Sequence, residues 1–131
     1  MNATIGTTPP VTTSTSGPPA RGEIWLTDFT EPPRGREEGG KKRPALILST
    51  DQFNQGPADL VIVVPISSKA RGIRSHIEIN PPQGGVTMRS FIKCEAIRSI
   101  SKQRLVHRMG RVTDQTIEAV EDCTKILLDL Y

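Results

Sequence analysis

Aromatic residues are scarce: one Trp, one Tyr and three Phe make up 4% of the 131 residues. A core with so few rings must be small and mostly aliphatic. Long apolar runs are missing as well. The longest, Leu60 to Ile66, falls far short of the roughly 20 residues that cross a bilayer. The N-terminus carries neither a basic segment nor an apolar one of the signal-peptide kind, so no secretory leader is expected. No glycine-rich phosphate loop appears, which argues against a nucleotide-binding α/β domain. Cysteine and histidine occur twice each, without the spacing of zinc ligands, so no metal site is expected. Cys94 and Cys123 then read as reduced thiols of a cytoplasmic protein.

What is present fits one globular domain. Charged residues reach 24%, and Val, Ile and Leu are plentiful. The net charge of +3 permits binding to nucleic acid without requiring it. Residues 1–20 hold no charged side chain and are rich in Thr, Ser, Pro and Gly. They bury too little to offset the entropy of ordering, so they read as a disordered tail ahead of a folded domain over residues 21–131.

Within that domain the pattern is mainly β. Residues 23–29, around Trp25, read as a first strand. The polar stretch 30–43 excludes regular structure, and a connection so long is usually functional. Residues 45–49 form a buried strand, 51–59 a loop, and 60–67 a second strand apolar on both faces. Pro65 near its end points to an edge or a bulge. Residues 75–80 alternate, with Ile77 and Ile79 on one side, and 81–85 form a turn. One or two strands follow in 87–100, with Ile92, Cys94 and Ala96 on one face, then another in 104–112. Thr113 or Asp114 caps a helix reaching about Leu130, with Ile117, Val120, Thr124, Leu127 and Leu128 on one stripe. Short strands followed by one helix predict a small barrel with a lid helix.

Several blocks carry a more specific signal. They are Arg21 to Leu26, Gly35 to Glu37, Gly40 to Ser49, Phe53-Asn54, Val63 to Ser68, Cys94 to Ile100 and Lys102 to Leu105. In this order and spacing they resemble the MazF/PemK (Kid) family of toxin endoribonucleases, over residues 21–131. The resemblance implies a mainly β (α+β) fold: a small SH3-like β-barrel with a C-terminal helix, paired as a homodimer. It implies cleavage of single-stranded RNA without metal or other cofactor, and inhibition by a cognate MazE-like antitoxin.

Cleavage of this kind needs little from the protein. RNA supplies the 2′-hydroxyl as nucleophile. The enzyme removes its proton, steadies the phosphorane charge and protonates the leaving 5′-oxygen. The products are a 2′,3′-cyclic phosphate and a 5′-hydroxyl. By the resemblance, Arg43 and Ser67 are the catalytic pair at the scissile phosphate. A guanidinium fork matches two phosphate oxygens, and a hydroxyl can donate to one or pass a proton. Lys41 and Lys42 add positive charge beside Arg43. Ser68, Lys69 and Arg71, followed by Arg74, sit after the strand that ends at Ser67 and suit contacts to RNA phosphates.

Four further residues enter as catalytic or RNA-binding candidates. Arg36 stands where one branch of the family has a proton-transferring His, a role that a permanently protonated arginine cannot take. Glu37 matches a family glutamate that could accept from a base or ribose hydroxyl. Lys93 and Glu95 take the places of a catalytic Arg and Asp in one branch, and flank Cys94 on the opposite face. Their plain reading is a cross-strand ion pair worth little. Trp25, Cys94 and Cys123 read as structural, and His76 and His107 as ordinary strand residues. Phe53 alone does not make a stacking face for RNA.

Two other functions fit a barrel of this size. A gyrase-binding toxin similar to CcdB would need no catalytic residues, but that family ends in Trp-Gly-Ile, whereas this chain ends in Asp129-Leu130-Tyr131. An inactive, antitoxin-bound regulator is the third reading.

Overall fold

The eight-residue strand β3 (Leu60–Ser67) is the hub around which the chain is arranged. The computed structural model describes residues 17–30 and 41–130. Residues 1–16 of the expected tail lie outside the described residues, as do Arg36 and Glu37. Packing begins slightly ahead of Arg21: Pro19 is buried, and the Ala20 N–H donates to Glu23 Oε1 at 2.9 Å.

The other strands are β1 (Glu23–Asp28), β2 (Lys42–Ile47), β4 (His76–Ile79), β5 (Ser90–Lys93), β6 (Arg98–Ser101) and β7 (Leu105–Arg111). Two helices join them, α1 (Asp51–Asn54) and α2 (Asp114–Leu128). The sheet runs β4-β5-β3-β2-β1-β7, with β6 also paired to β3. All pairings are antiparallel.

β3 serves two partners on one side. Leu60 to Val63 pair with β6, and Ile66 and Ser67 pair with β5. Pro65 stands in the gap where the strand changes partner, so its missing N–H interrupts neither of these ladders. That is why proline is tolerated in a central strand rather than at an edge.

Alternation along β2 and β3 feeds two apolar clusters, one on each face of the sheet. Leu46, Val64 and Ile66 join Ile24, Ile92 and Val120 in the larger cluster. Ala45, Ile47, Val61 and Val63 join Trp25 and Ile100 in the smaller one. Full burial of such a side chain contributes roughly 1.5–3 kcal/mol relative to exposure. Both faces of β3 are therefore covered, as its continuous apolar run requires.

The mainly β fold with a C-terminal helix is as expected, but the sheet is not closed into a barrel: among the described residues no ladder joins the end strands β4 and β7. A tight turn, Gln83–Gly85, fills the gap instead. Gly84 and Gly85 have φ of 66° and 80°. A Cβ on Gly85 would stand 2.1 Å from the Met109 carbonyl oxygen. Only glycine allows that backbone to lie against β7.

Three local expectations also change. Residues 51–59 are not all loop: Thr50 caps α1, its hydroxyl accepting from Phe53 N–H. Asn54 is fully buried there and donates from Nδ2 to Ser49 O at 3.0 Å. The strand alternation fails after Lys93, where Cys94–Ala96 forms a 3₁₀ turn. Finally, the stripe on α2 is buried only as far as Thr124; Leu127 and Leu128 are exposed.

Candidate active site

The site begins with a difference in strand length. β2 pairs with β1 along Lys42 to Leu46, but with β3 only from Ala45 onward. Lys42 and Arg43 thus extend beyond the β3 ladder, and their side chains are exposed. At the same end, β3 stops at Ser67, which is half-buried. The Ser67 hydroxyl accepts the Lys69 N–H at 3.1 Å, a local turn that sets where the oxygen lies.

An open cleft of about 390 Å³ lies between these strand ends. Lys41, Lys42 and Arg43 line one side, and Ser67 and Ser68 stand at the end of β3. The remaining wall comes from Val86, Thr87, Met88 and Ser90, with Ile66 and Met109. Asp28 is the register partner of Lys42. Hydrogen bonds from the Thr30 hydroxyl and N–H hold the Asp28 carboxyl below the usual range, with smaller help from Lys42 and Arg104. It offsets part of the positive charge, yet none of the described residues that line the cleft is acidic.

The structure therefore brings Arg43, Ser67, Lys41, Lys42 and Ser68 together. Other described candidates lie elsewhere. Lys69 contributes its backbone to the Ser67 turn, while Lys69, Arg71 and Arg74 are exposed and do not line the cleft. Lys93 is half-buried on β5, paired in register with His76. It forms no ion pair with Glu95, which is held by other partners. Ser75 Oγ donates to Glu95 Oε1 at 2.6 Å, and His76 Nε2 lies 2.8 Å from Oε2. Burial raises the Glu95 pKa, but these contacts and its own backbone bond outweigh that effect and leave it lowered. Both oxygens are engaged away from the cleft, a poor arrangement for a general base there.

None of the other singled-out residues that the structure describes lines the cleft. Trp25 is buried and donates to Glu23 Oε1 at 2.9 Å. The His76 side chain is almost enclosed, and His107 makes only a 3.3 Å contact to the Arg108 carbonyl. Cys94 is fully buried; its pKa is pushed up to about 12, first by burial and then by contact with Cys123. Among the described residues, no group of three or more His, Cys, Asp or Glu side chains could hold a metal ion.

Sequence reasoning missed the second wall. Val86, Thr87, Met88 and Ser90 follow the 81–85 turn, and Met109 comes from β7. Their only advance signal was a Pro- and Gly-rich turn just before them. Chemically, the cleft offers a guanidinium, two ammonium groups and hydroxyls facing an apolar wall. That combination suits a phosphodiester attached to a base.

Comparison with known proteins agrees with that chemistry. The family described as "PemK-like, MazF-like toxin of type II toxin-antitoxin system" matches residues 20–128. Endoribonuclease MazF9 of Mycobacterium tuberculosis is 32% identical over 116 residues, covering 85% of this chain and 97% of that protein. Endoribonuclease EndoA of Bacillus subtilis is 31% identical over 111 residues, covering 84% and 94%. The fold matches a crystal structure of MazE-MazF from Deinococcus radiodurans with a TM-score of 0.76 and 23% identity, over 88% of this chain and 100% of that one.

Proposed function

This chain belongs to the PemK-like, MazF-like toxin family of type II toxin–antitoxin systems, and from that premise we propose that it is an endoribonuclease acting at the Arg43–Ser67 cleft. The observation that carries the reading is the meeting of Arg43 and Ser67, from separate strands, in one basic cleft. The curated relatives are named endoribonucleases, which favours this reading over a gyrase-binding toxin.

In the proposed reaction the RNA 2′-hydroxyl loses its proton and its oxygen bonds to phosphorus. The bond from phosphorus to the 5′-oxygen breaks, and that oxygen takes up a proton. Arg43 binds two non-bridging oxygens and stabilises the charge that grows on them. Ser67 donates to the same phosphoryl group. Lys41 and Lys42 draw the RNA backbone in, with Ser68 beside them. Arg36 and Glu37 stay on as candidates carried by the family resemblance, and no metal takes part.

We further propose a homodimer, and a cytoplasmic role set by the RNA substrate. A MazE-like antitoxin would inhibit by placing acidic residues in the same cleft. No helix among the described residues is long and apolar enough to cross a membrane.

The test is cleavage of a long single-stranded RNA by purified protein, with and without EDTA, followed by mapping of both product ends. Site-selective, EDTA-resistant cuts with 5′-hydroxyl ends are expected, and Arg43→Ala should weaken them sharply. Failure of the folded protein to cut several diverse RNAs would overturn the proposal.

A further inference from the structure

The wall facing the three cations is a short lip, residues 83–89, between β4 and β5. Most of it is anchored. At its base, Gln83 Oε1 accepts from Thr113 N–H at 3.1 Å and from the Thr116 hydroxyl at 2.6 Å, tying the lip to the start of α2. Gly84 and Gly85 lie directly on Met109 and Gly110, too close for a Cβ on Gly85 or Gly110. Val86 is buried in the larger apolar cluster. At the far end, Arg89 donates to Glu78 at 2.9 Å and stacks 5.1 Å from the Phe91 ring centre. Ser90 Oγ donates to the Met88 carbonyl at 2.7 Å.

Two side chains escape this anchoring, Thr87 and Met88. Both are exposed, Met88 by 56%, and both line the cleft opposite Arg43. Within this chain the Met88 thioether is largely left open to the cleft. It is a polarizable surface suited to the face or edge of an aromatic ring. The neighbouring hydroxyl can donate or accept. Single-stranded RNA is read through bases splayed out of the stack, by contacts to their faces and edges. The cleft volume of about 390 Å³ falls within the roughly 300–1,000 Å³ of small-ligand sites.

Resting on the endoribonuclease reading above, we infer that Thr87 and Met88 read the base next to the scissile phosphate. The phosphate lies against Arg43 and Ser67. The attached base crosses the cleft, packs on Met88 and meets Thr87 Oγ1 along its edge. The lip's anchoring sets its position before RNA arrives, which lowers the ordering cost of recognition.

Binding selection with uncleavable RNA tests this. A random-sequence single-stranded RNA pool, fully 2′-O-methylated so that it cannot attack itself, is partitioned on the full-length protein. The bound fraction is then sequenced. The wild type should enrich one base at one position. Met88→Ala should reduce that enrichment by up to about tenfold, the scale of a sulfur–aromatic contact. Thr87→Val, which keeps shape and removes the hydroxyl, should change which base is preferred there. Both sites are exposed, so melting temperatures should stay unchanged.

Equal binding of all sequences by the wild type, or a preference that both variants retain, overturns the inference. Cleavage of unmodified RNA is scored separately. A lip-dependent preference without any cleavage upholds base reading by Thr87 and Met88 and overturns the nuclease reading. Cleavage whose sequence preference ignores both variants does the reverse.

Discussion

Arg43 and Ser67 stand at matching positions on adjacent antiparallel strands. The β2–β3 ladder pairs Ala45 with Pro65, and continuing its register by two residues sets Arg43 across from Ser67. Both line one cleft. Arg43→Ala should therefore lower kcat/KM for RNA cleavage by about 10²–10³, as removal of a charge-stabilising donor does elsewhere. Arg43→Lys should not restore it, because an ammonium lacks the planar fork. Arg43 is exposed, so the melting temperature should hold. Steady-state kinetics and a thermal melt check both halves.

Glu95 should behave in the opposite way. Its two oxygens are held by Ser75 and His76, and it does not line the cleft. Glu95→Gln should leave kcat/KM within about threefold while lowering stability by about 1 kcal/mol, the scale of a lost hydrogen bond. A large fall in cleavage with an unchanged melt would restore Glu95 as a catalytic residue.

Glu23 links stability to acid. Its Oε1 accepts from Ala20 N–H and Trp25 Nε1, and its Oε2 from Arg108 Nη1, each at 2.9 Å. Burial raises its pKa, but the three hydrogen bonds and the charge of Arg108 together outweigh it, leaving it below the ordinary 4.5. A lowered carboxyl pKa means that the unfolded chain takes up the proton first as pH falls. The stabilisation is present above pH 4.5 and is lost as pH drops through the folded value. Urea unfolding from pH 7 to pH 3 should show this decline, and Glu23→Gln should flatten it.

The sequence showed the outlines of this fold where one local signal dominated. The unbroken apolar run of β3 marked both its ends and the burial of both its faces. Thr113 or Asp114 marked the start of α2, and Thr113 is the cap, its hydroxyl accepting the Thr116 N–H. Reading failed where a distant partner decided the outcome. Asn54 looked like a loop residue because its burial depends on Ser49. That the sheet stays open could not be read, since β4 and β7 are not neighbours in the chain. In the site, Arg43 and Ser67 came through family resemblance. Met88 and Met109 went unnoticed because methionine carries no motif and the two arrive from separate parts of the chain, the lip before β5 and strand β7.

The two cysteines should differ sharply in reactivity. They are 29 positions apart, yet both pack in the larger apolar cluster and touch each other. Cys94 is fully buried, and a pKa pushed up to about 12, chiefly by that burial, leaves almost no thiolate at pH 8. Cys123, on α2, is half-buried. A disulfide-exchange reagent at pH 8 should therefore titrate one thiol per folded chain at a measurable rate, and two in urea. Cys123→Ser should bring the native count close to zero and leave one thiol in urea. Rapid reaction of both thiols in the folded protein would mean that the α2 contact over Cys94 opens readily. In that case hydrogen exchange along α2 should be fast as well.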